Sequence, residues 1–181
     1  MNATFIRKTP IGPIAIAWQA AARGPVVRQV FFSNPVRPAD EELRRTFPGA
    51  TVVSCPDIRA IVAGIRALLA GGDVEFDLDL VALEACPPFQ QAVLRATHRI
   101  PRGHVRTYGQ IAAQLDKPGA ARAVGNSLAA NPFPLVIPCH RVVRAGGHLG
   151  GFGGGPAMKQ ALLALEGVEI GETGRVRGCD G

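Results

Sequence analysis

The apolar positions in the N-terminal part of the chain change from the spacing of strands to the spacing of helices. Residues 4–18 predict two short strands joined by a turn at residues 9–13, and residues 26–32 predict a third strand. A charged helix is predicted over residues 39–47. A second helix is predicted over residues 58–69, because its apolar side chains recur at intervals of three and four.

A fourth strand is predicted over residues 74–80, where apolar and acidic residues alternate. The alternation would place the carboxylates of Glu75, Asp77 and Asp79 together on the exposed face of that strand. Carboxylates repel polyanions, so we expect the surface for any polyanionic partner to lie elsewhere.

Helices and loops dominate the chain after residues 85–88, whose Ala-Cys-Pro-Pro sequence marks a candidate domain boundary. A helix is predicted over residues 89–98, which Pro101 follows. Another helix is predicted over residues 108–115. Thr107, which precedes it, and Gln110, within it, have the spacing of a capping box.

The next helix, predicted over residues 120–130, has mostly small side chains and a single charged residue, Arg122. With the preceding helix and the turn at residues 117–119 it has the pattern of a helix-turn-helix, which ordinary helical hairpins share. The sequence leaves two interpretations of the small side chains open. They allow close packing inside the domain, or they allow approach to a narrow DNA groove that one arginine could enter.

The composition of the chain shows an excess of positively charged residues. The 181 residues carry a formal net charge of +6. Arginine supplies nearly all of the positive charge, because the only lysines are Lys8, Lys117 and Lys159. Such an excess favours a polyanionic partner such as nucleic acid, although many basic proteins bind none.

The sequence shows neither the pattern of a signal peptide nor that of a membrane-spanning segment. The N-terminal residues lack a basic stretch followed by a long apolar core. Prolines interrupt the most apolar segment of the chain. We therefore expect a cytoplasmic protein.

Chemistry is expected at Cys139, which is followed directly by His140 within the apolar segment 135–143. Burial alone would raise the pKa of the thiol and leave it inert, whereas an adjacent imidazole can take the proton and make the thiolate a nucleophile. A buried free cysteine beside a surface histidine is the alternative. No C-x-x-C pair is present, so a zinc knuckle or a thioredoxin-like motif is not expected. The other cysteines are Cys55, Cys86 and Cys179.

Two features follow the cysteine along the chain. The glycine-rich segment 146–155 lacks the Gly-Lys-Ser/Thr sequence of a phosphate-binding loop, so we expect a mobile loop whose backbone can approach a ligand. Pro156 opens the last helix and Gly167 caps it. Glu166 lies in the final turn, where a carboxylate opposes the helix dipole, so it is either solvated or needed to orient the histidine.

These motifs resemble the O6-alkylguanine-DNA alkyltransferases, the methylated-DNA–protein-cysteine methyltransferases. The resemblance covers residues from about 89 to 168 closely, and the N-terminal half only loosely through residues 9–13. The family's order and approximate spacing are matched by Tyr108, Arg122-Ala123-Val124-Gly125, Asn131-Pro132, the segment from Ile137 to Val143, Leu149-Gly150-Gly151-Phe152 and the segment from Leu162 to Gly167.

The resemblance implies an α/β fold in two parts. A small N-terminal ribonuclease-H-like α/β domain would occupy residues 1–84, and a mainly helical C-terminal domain with the helix-turn-helix would occupy residues 85–181. The implied activity is irreversible, single-turnover transfer of a methyl or alkyl group from O6-alkylguanine, and from O4-alkylthymine, in DNA. The implied partner is double-stranded DNA, bound through its minor groove by a monomer without a cofactor or a metal.

The resemblance also implies roles around the cysteine. Cys139 would be the alkyl acceptor, and His140 would be the base that acts through a water molecule. Glu166 would orient and charge the imidazole. Asn131 would support the turn and its hydrogen bonds beneath the cysteine.

The remaining implied roles concern DNA. Tyr108 would contact the nucleotide and help to swing the target base outward, and Arg122 would fill the space left in the base stack. Gln90 and Lys117 would contact the DNA backbone. The chain departs from many relatives at residues 153–155, where three glycines replace bulkier residues that shape the alkyl pocket, so the range of alkyl groups stays open.

Three other functions compete with this interpretation. A binding-only alkyltransferase-like protein would lack the cysteine that this chain has at Cys139. A Cys-His hydrolase would turn over and would leave Arg122 and the helix-turn-helix unexplained. A transcription factor would account for the helix-turn-helix and the charge, but for neither the Cys139-His140 pair nor Glu166.

Overall fold

A computed structural model describes residues 1–22, 24–33 and 36–177 of the chain. These residues form two compact units. Of the described residues, the first unit contains those in 1–83 and 132–136, and the second contains 84–131 and 137–177. Cys179, which the sequence singles out as a cysteine, lies outside the described residues.

A small mixed sheet forms the centre of the first unit. Its strands are β1 (Asn2–Ile6), β2 (Ile14–Ala21), β3 (Gly24–Phe32) and β4 (Thr51–Val52), in the order β3-β2-β1-β4. The first three strands pair antiparallel, and β4 runs parallel to β1. The apolar pattern predicted β1, β2 and β3, whereas β4 has two residues, too few for any pattern to indicate it.

Two amphipathic helices complete the first unit. Helix α1 (Ala39–Thr46) buries Ala39 and Leu43 in a core cluster that includes Phe31 of β3. Helix α2 (Pro56–Leu69) begins with a proline at its first position, where no backbone N–H is needed. One face of α2 is buried and holds Ile58, Ile61, Ile65, Leu68 and Leu69.

The strand predicted over residues 74–80 is wrong. Residues 74–77 have no regular secondary structure, and Leu78–Leu80 form a short 3₁₀ turn. The Asp77 carboxylate accepts a hydrogen bond from the backbone N–H of Asp79 at 2.9 Å. Such a local bond offers the backbone an alternative to a ladder, so the alternating pattern does not become a strand.

Four helices build the second unit, which gives the chain a mixed α/β fold with six helices among the described residues. They are α3 (Pro88–His98), α4 (Tyr108–Gln114), α5 (Ala121–Ala129) and α6 (Pro156–Leu165). All four were predicted from the sequence, with bounds that differ by one or two residues. None of the described helices is long and apolar enough to cross a bilayer.

The predicted capping box at the start of α4 is present. The Thr107 hydroxyl accepts a hydrogen bond from the Gln110 backbone N–H at 3.1 Å, and the Gln110 side chain accepts one from the Thr107 backbone N–H at 2.8 Å. These two bonds satisfy backbone donors that a helix otherwise leaves free at its first turn. The position of Tyr108, the first residue of α4, is fixed as a result.

A two-stranded parallel ladder connects distant parts of the second unit. Strand β5 (Arg106–Thr107) pairs with strand β6 (Val142–Val143), with Arg106 opposite Val142 and Thr107 opposite Val143. Strand β5 leads directly into α4, and β6 directly follows Cys139–Arg141. The ladder therefore sets the start of α4 beside the cysteine turn.

A substitution at Gly147 would measure how tightly the chain packs after this ladder. A Cβ atom at Gly147 would lie 2.4 Å from the carbonyl oxygen of Val176, and φ at Gly147 is +75°. We expect Gly147→Ala to lose more free energy of unfolding than Gly174→Ala, by at least about 1 kcal/mol, because overpacking adds to the backbone strain. Gly174 is the matched control, since its φ is +70° and nothing would lie within 4 Å of its Cβ.

Urea unfolding of both variants and of the unchanged protein measures the difference. Equal losses in the two variants would show that only the positive φ matters at Gly147, and that the Val176 carbonyl moves aside at little cost.

Candidate functional site

The residues predicted to be reactive, Cys139 and His140, lie on a buried 3₁₀ turn, Cys139–Arg141. The backbone N–H of Cys139 donates to the carbonyl of Ile137 at 2.8 Å, and that of Arg141 donates to the carbonyl of Pro138 at 2.9 Å. Exposure of Cys139 is 8% and that of His140 is 0%. The alternative of a cysteine beside a surface histidine is therefore wrong.

His140 and Glu166 form a buried hydrogen bond of 2.8 Å between Nε2 and Oε1. Burial raises the pKa of the Glu166 carboxyl, but its bonds to His140 and Arg141 outweigh burial and bring the pKa to about 2. An ionised carboxylate only accepts, so Nε2 of His140 carries the hydrogen. In a neutral imidazole the lone pair is then on Nδ1, which has no hydrogen-bond partner among the described residues.

Arg141 holds the other side of the Glu166 carboxylate. Its Nε donates to Oε2 at 2.9 Å, and its Nη2 donates to Oε1 at 2.8 Å. The remaining terminal nitrogen, Nη1, donates to the carbonyl of Ile100 at 2.6 Å. This bidentate geometry fixes the carboxylate, and thereby the imidazole of His140, in one orientation.

Arg141 also limits how strongly Glu166 can favour a charged imidazole. Burial lowers the pKa of His140, Glu166 raises it, and the charges of Arg141 and Lys159 lower it again. The net direction is downward, so His140 is neutral in the resting protein at physiological pH.

The Cys139 thiol is protonated at rest. Burial raises the pKa of the thiol, and this effect outweighs the hydrogen bond from Asn131, the charge of Lys159 and nearby backbone N–H groups. Asn131 also donates from Nδ2 to the carbonyl of Ile137 at 3.1 Å, which connects its side chain to the segment that leads into the cysteine turn. The apolar setting thus keeps the thiol unreactive until a base acts on it.

A pocket of about 690 Å³ opens beside the cysteine. Cys139 and Phe152 line it, and the small residues of α5 form another wall. The Phe152 ring is edge-on to the His140 ring, with 6.4 Å between the centroids. The α5 residues at the pocket are Ala121, Arg122, Gly125, Asn126, Leu128 and Ala129.

Tyr108 also lines this pocket, at a point where two glycines approach it. A Cβ atom at Gly125 would lie 3.8 Å from the Tyr108 ring, and one at Gly150 would lie 3.0 Å from its hydroxyl oxygen. The glycine-rich segment therefore comes close to the tyrosine because Gly150 lacks a side chain. Burial, followed by the negative charge of the cysteine, raises the pKa of Tyr108.

The three remaining predicted site residues lie in different settings. Arg122 is exposed on α5 at the pocket, and Lys117 is exposed on the turn between α4 and α5. Gln90 has a role inside the unit, because its Nε2 donates to the carbonyls of Ser127 and Ala130, each at 3.0 Å. Those two carbonyls belong to the end of α5, so Gln90 stabilises the helix terminus.

Sequence reasoning missed Arg141 and Lys159 as site residues. Both are buried, and both donate hydrogen bonds within the site. The signal for Lys159 is present in the sequence, because Lys159 and Leu162 recur at a helical interval on the buried face of α6 and Glu166, the C-cap, continues this spacing. Arg141 carries no comparable signal, because a 3₁₀ turn has no apolar periodicity to mark its inward positions.

Most of the second unit matches a known protein family. Residues 88–168 match the family model of the 6-O-methylguanine DNA methyltransferase DNA-binding domain. A solved structure titled as Mycobacterium tuberculosis OGT in complex with DNA superposes with a TM-score of 0.74 and 35% identity, and covers 92% of each chain.

The chain is also similar to proteins named methylated-DNA–protein-cysteine methyltransferases. The methylated-DNA–protein-cysteine methyltransferase of Mycolicibacterium paratuberculosis is 41% identical over 162 residues, which cover 87% of this chain and 88% of that protein. The protein of the same name from Methanothermobacter thermautotrophicus is 42% identical over 113 residues, covering 62% of this chain and 63% of that protein. The chain therefore belongs to the family of methylated-DNA–protein-cysteine methyltransferases.

Proposed function

We propose that the protein repairs DNA by moving a methyl or alkyl group from O6 of guanine to Sγ of Cys139. The family carries out DNA repair by alkyl transfer to a cysteine, and this is the activity of the chain, with DNA as its partner. One observation carries the assignment to Cys139. Its thiol lines the pocket, and the next residue, His140, has a ring nitrogen with a free lone pair.

The proposed reaction begins with removal of the thiol proton. Nδ1 of His140 accepts the proton of Cys139 through a water molecule, while Nε2 stays bonded to Glu166. The thiolate then attacks the alkyl carbon, so that the S–C bond forms as the O6–C bond breaks. The electron pair of the broken bond goes to the guanine, which takes up the proton held by His140 and remains in the DNA as unmodified guanine.

The product explains why each molecule would act once. Alkyl transfer leaves a thioether on Cys139, and a thioether, unlike a thioester, is not hydrolysed by water. No group in the proposed reaction removes the alkyl group from sulfur. The protein is therefore consumed, one molecule for each lesion, and this distinguishes it from a Cys-His hydrolase.

The pocket supports a mechanism in which the damaged base leaves the helix. A base inside a duplex is not accessible to a thiol, so the nucleotide must rotate outward. The pocket volume of about 690 Å³ lies within the range of about 300–1,000 Å³ that is usual for ligand sites. We propose that Tyr108 contacts the rotated nucleotide and that Arg122 enters the vacated space in the base stack.

We propose minor-groove binding because α5 presents small side chains and Arg122 at the pocket. Helices α4 and α5 would then act as the helix-turn-helix. Lys117 is the proposed contact with a DNA phosphate, since its ammonium is exposed on the turn between them. Gln90 could donate to a phosphate only after releasing a carbonyl at the end of α5.

Further parts of the proposal rest on the family resemblance. They are a ribonuclease-H-like fold for residues 1–84, a separate C-terminal domain over residues 85–181, and repair of O4-alkylthymine. A monomeric state, a cytoplasmic location and independence of cofactors and metals are likewise predictions.

The function predicts a covalent mark on one residue. After incubation with duplex DNA that contains O6-methylguanine, we expect peptide mass spectrometry to find one added methyl group on Cys139. Cys139→Ala should abolish transfer and retain DNA binding, because alanine removes only the sulfur at the pocket wall. Cys55→Ala is the matched control and should transfer normally. Transfer that persists in Cys139→Ala would overturn the assignment.

We expect Glu166→Gln to slow methyl transfer much more than it weakens DNA binding, because the carboxylate fixes the imidazole and does not face DNA in the proposal. The change also leaves the buried Arg141 charge without its partner, which costs about 3–5 kcal/mol of stability when a buried pair is broken. Single-turnover rates, DNA affinity and urea unfolding measure the three effects. Glu169→Gln, at an exposed acid nearby, is the control.

Acid unfolding gives a second measurement for the same pair. The pKa of Glu166 is depressed to about 2 in the folded protein. Its contribution to stability is therefore complete above the pKa of the unfolded chain, about 4.3, and is lost as the pH falls through about 2. Glu166→Gln should lack this part of the acid destabilisation, and an unchanged acid profile would contradict the ion pair.

We expect Arg122→Ala to slow repair of duplex DNA far more than reaction with free O6-methylguanine. Rotation of a base out of the stack costs a few kcal/mol, and a side chain that fills the gap offsets part of this cost. The free base needs no such rotation. Single-turnover rates on both substrates measure the difference, with the exposed Arg175→Ala as control. An equal loss on both substrates would mean that Arg122 maintains the domain.

A further inference from the structure

Lys159 is a buried cation with no acidic partner among the described residues. Its exposure is 0%, and it belongs to the inward face of α6, with Leu162 and Leu163 one turn further along. No carboxylate of the described residues lies within ion-pair distance of its ammonium. A buried charge of this kind is costly unless other groups stabilise it, so its position calls for an explanation.

The ammonium of Lys159 is held at the reactive turn by backbone carbonyls. Nζ donates to the carbonyl of Val142 at 2.6 Å and to that of Gly151 at 3.4 Å. Val142 directly follows the Cys139–Arg141 turn, and Gly151 lines the pocket. Nζ also lies 6.0 Å from the centroid of the Tyr108 ring. These contacts place the positive charge where the turn, the glycine-rich segment and the tyrosine meet.

His140 is poorly suited to supply a positive charge at this place. It is fully buried, and the Glu166 carboxylate that could stabilise an imidazolium is already bonded to Arg141. A carboxylate that shares its charge with a guanidinium attracts a second cation less strongly. The thiol proton stays on His140 until the guanine takes it up, and because this imidazolium is only weakly stabilised, a second cation is needed to balance the thiolate.

We propose that the ammonium of Lys159 is the positive charge that stabilises the Cys139 thiolate during transfer. The inference rests on the proposed function and assigns to Lys159 a positioning and electrostatic role in it. Lys159 takes no proton in this step, since the thiol proton goes to His140. Among its neighbours, Cys139 is the one that becomes negative, Arg144 is the competing cation, and Tyr108 presents a neutral ring.

The charge state of Lys159 supplies a signature. Burial lowers the pKa of Lys159 to about 8, although the negative charge of Cys139 acts in the opposite direction. Lys159 is therefore charged at neutral pH and becomes neutral as the pH rises through about 8. A thiolate stabilised by this charge loses the stabilisation in the same pH range.

The test measures the rate of Cys139 alkylation by iodoacetamide as a function of pH, with peptide mass spectrometry to isolate this cysteine. At about pH 7 we expect Lys159→Met to react about threefold more slowly, because a tenfold loss of thiolate is partly offset by higher nucleophilicity. Well above the Lys159 pKa the two rates should converge, since the lysine is then neutral as methionine is. Gln160→Met, at the exposed neighbouring position on α6, should match the unchanged protein.

A purely structural role for Lys159 predicts a different profile. If folded Lys159→Met reacts at the unchanged rate at neutral pH, or more slowly by one factor at every pH, the proposal is wrong. Should that variant not fold, Lys159→Arg decides, because arginine keeps its charge at every pH. Relative to the unchanged protein, its Cys139 rate should rise as the pH passes the Lys159 pKa of about 8. A rate ratio that stays constant across this range would overturn the proposal.

This experiment uses no DNA, so it separates the two proposals. Methyl transfer to Cys139 with no effect of Lys159 on iodoacetamide rates would keep the proposed function and reject the role of Lys159. The reverse result would reject the function and keep the electrostatic coupling.

Discussion

The buried ion pair between Arg141 and Glu166 is the interaction on which the rest of the site depends. The side chains of Arg141 and Glu166 are 8% and 2% exposed, and neither charge could stay in the interior without the other. Each of the three guanidinium nitrogens of Arg141 donates to an acceptor, which is the Ile100 carbonyl for Nη1. The arrangement fixes the carboxylate so firmly that His140 has one tautomer and one free lone pair. Stability and chemistry therefore rest on the same hydrogen bonds.

The short parallel ladder between β5 and β6 positions the pocket residue Tyr108 relative to this ion pair. Strand β6 continues from the Cys139–Arg141 turn, and β5 leads into the capping box that fixes Tyr108. Two residues of pairing on each strand contribute little stability alone. Their effect is geometric, because they align the reactive turn with the first residue of α4. Glycines at positions 125 and 150 then allow helix α5 and the glycine-rich segment to approach the tyrosine.

The electrostatics of the site favour storage of an unreactive thiol. Burial keeps Cys139 protonated and His140 neutral, so that the cysteine is protected until a substrate fills the pocket. In a protein that reacts only once, any side reaction of the nucleophile would inactivate the molecule. In the proposed mechanism, His140 would move the proton, and Lys159, which the Val142 carbonyl holds at the turn, would balance the charge of the thiolate.

The sequence by itself determined the elements with strong local signals. Apolar patterns predicted β1–β3 and the helix α2, charge, proline and glycine signals helped to predict the other helices, and the spacing of Thr107 and Gln110 predicted the capping box. The Cys139-His140 motif and its companions indicated the family. Local signals failed at residues 74–80, where an aspartate bonds its own backbone, and at strands of two residues, which are too short for any pattern.

Only the tertiary structure decided which charged groups are buried together. Arg141 looked like one arginine among many, and its pairing with Glu166 joins residues 25 positions apart in the chain. The same holds for Gln90, whose amide reaches carbonyls 37 and 40 residues away. Burial and pairing depend on what packs around a side chain after folding. Periodicity reports only which face of an element turns inward, so the partner of a buried charge becomes visible only when the elements meet.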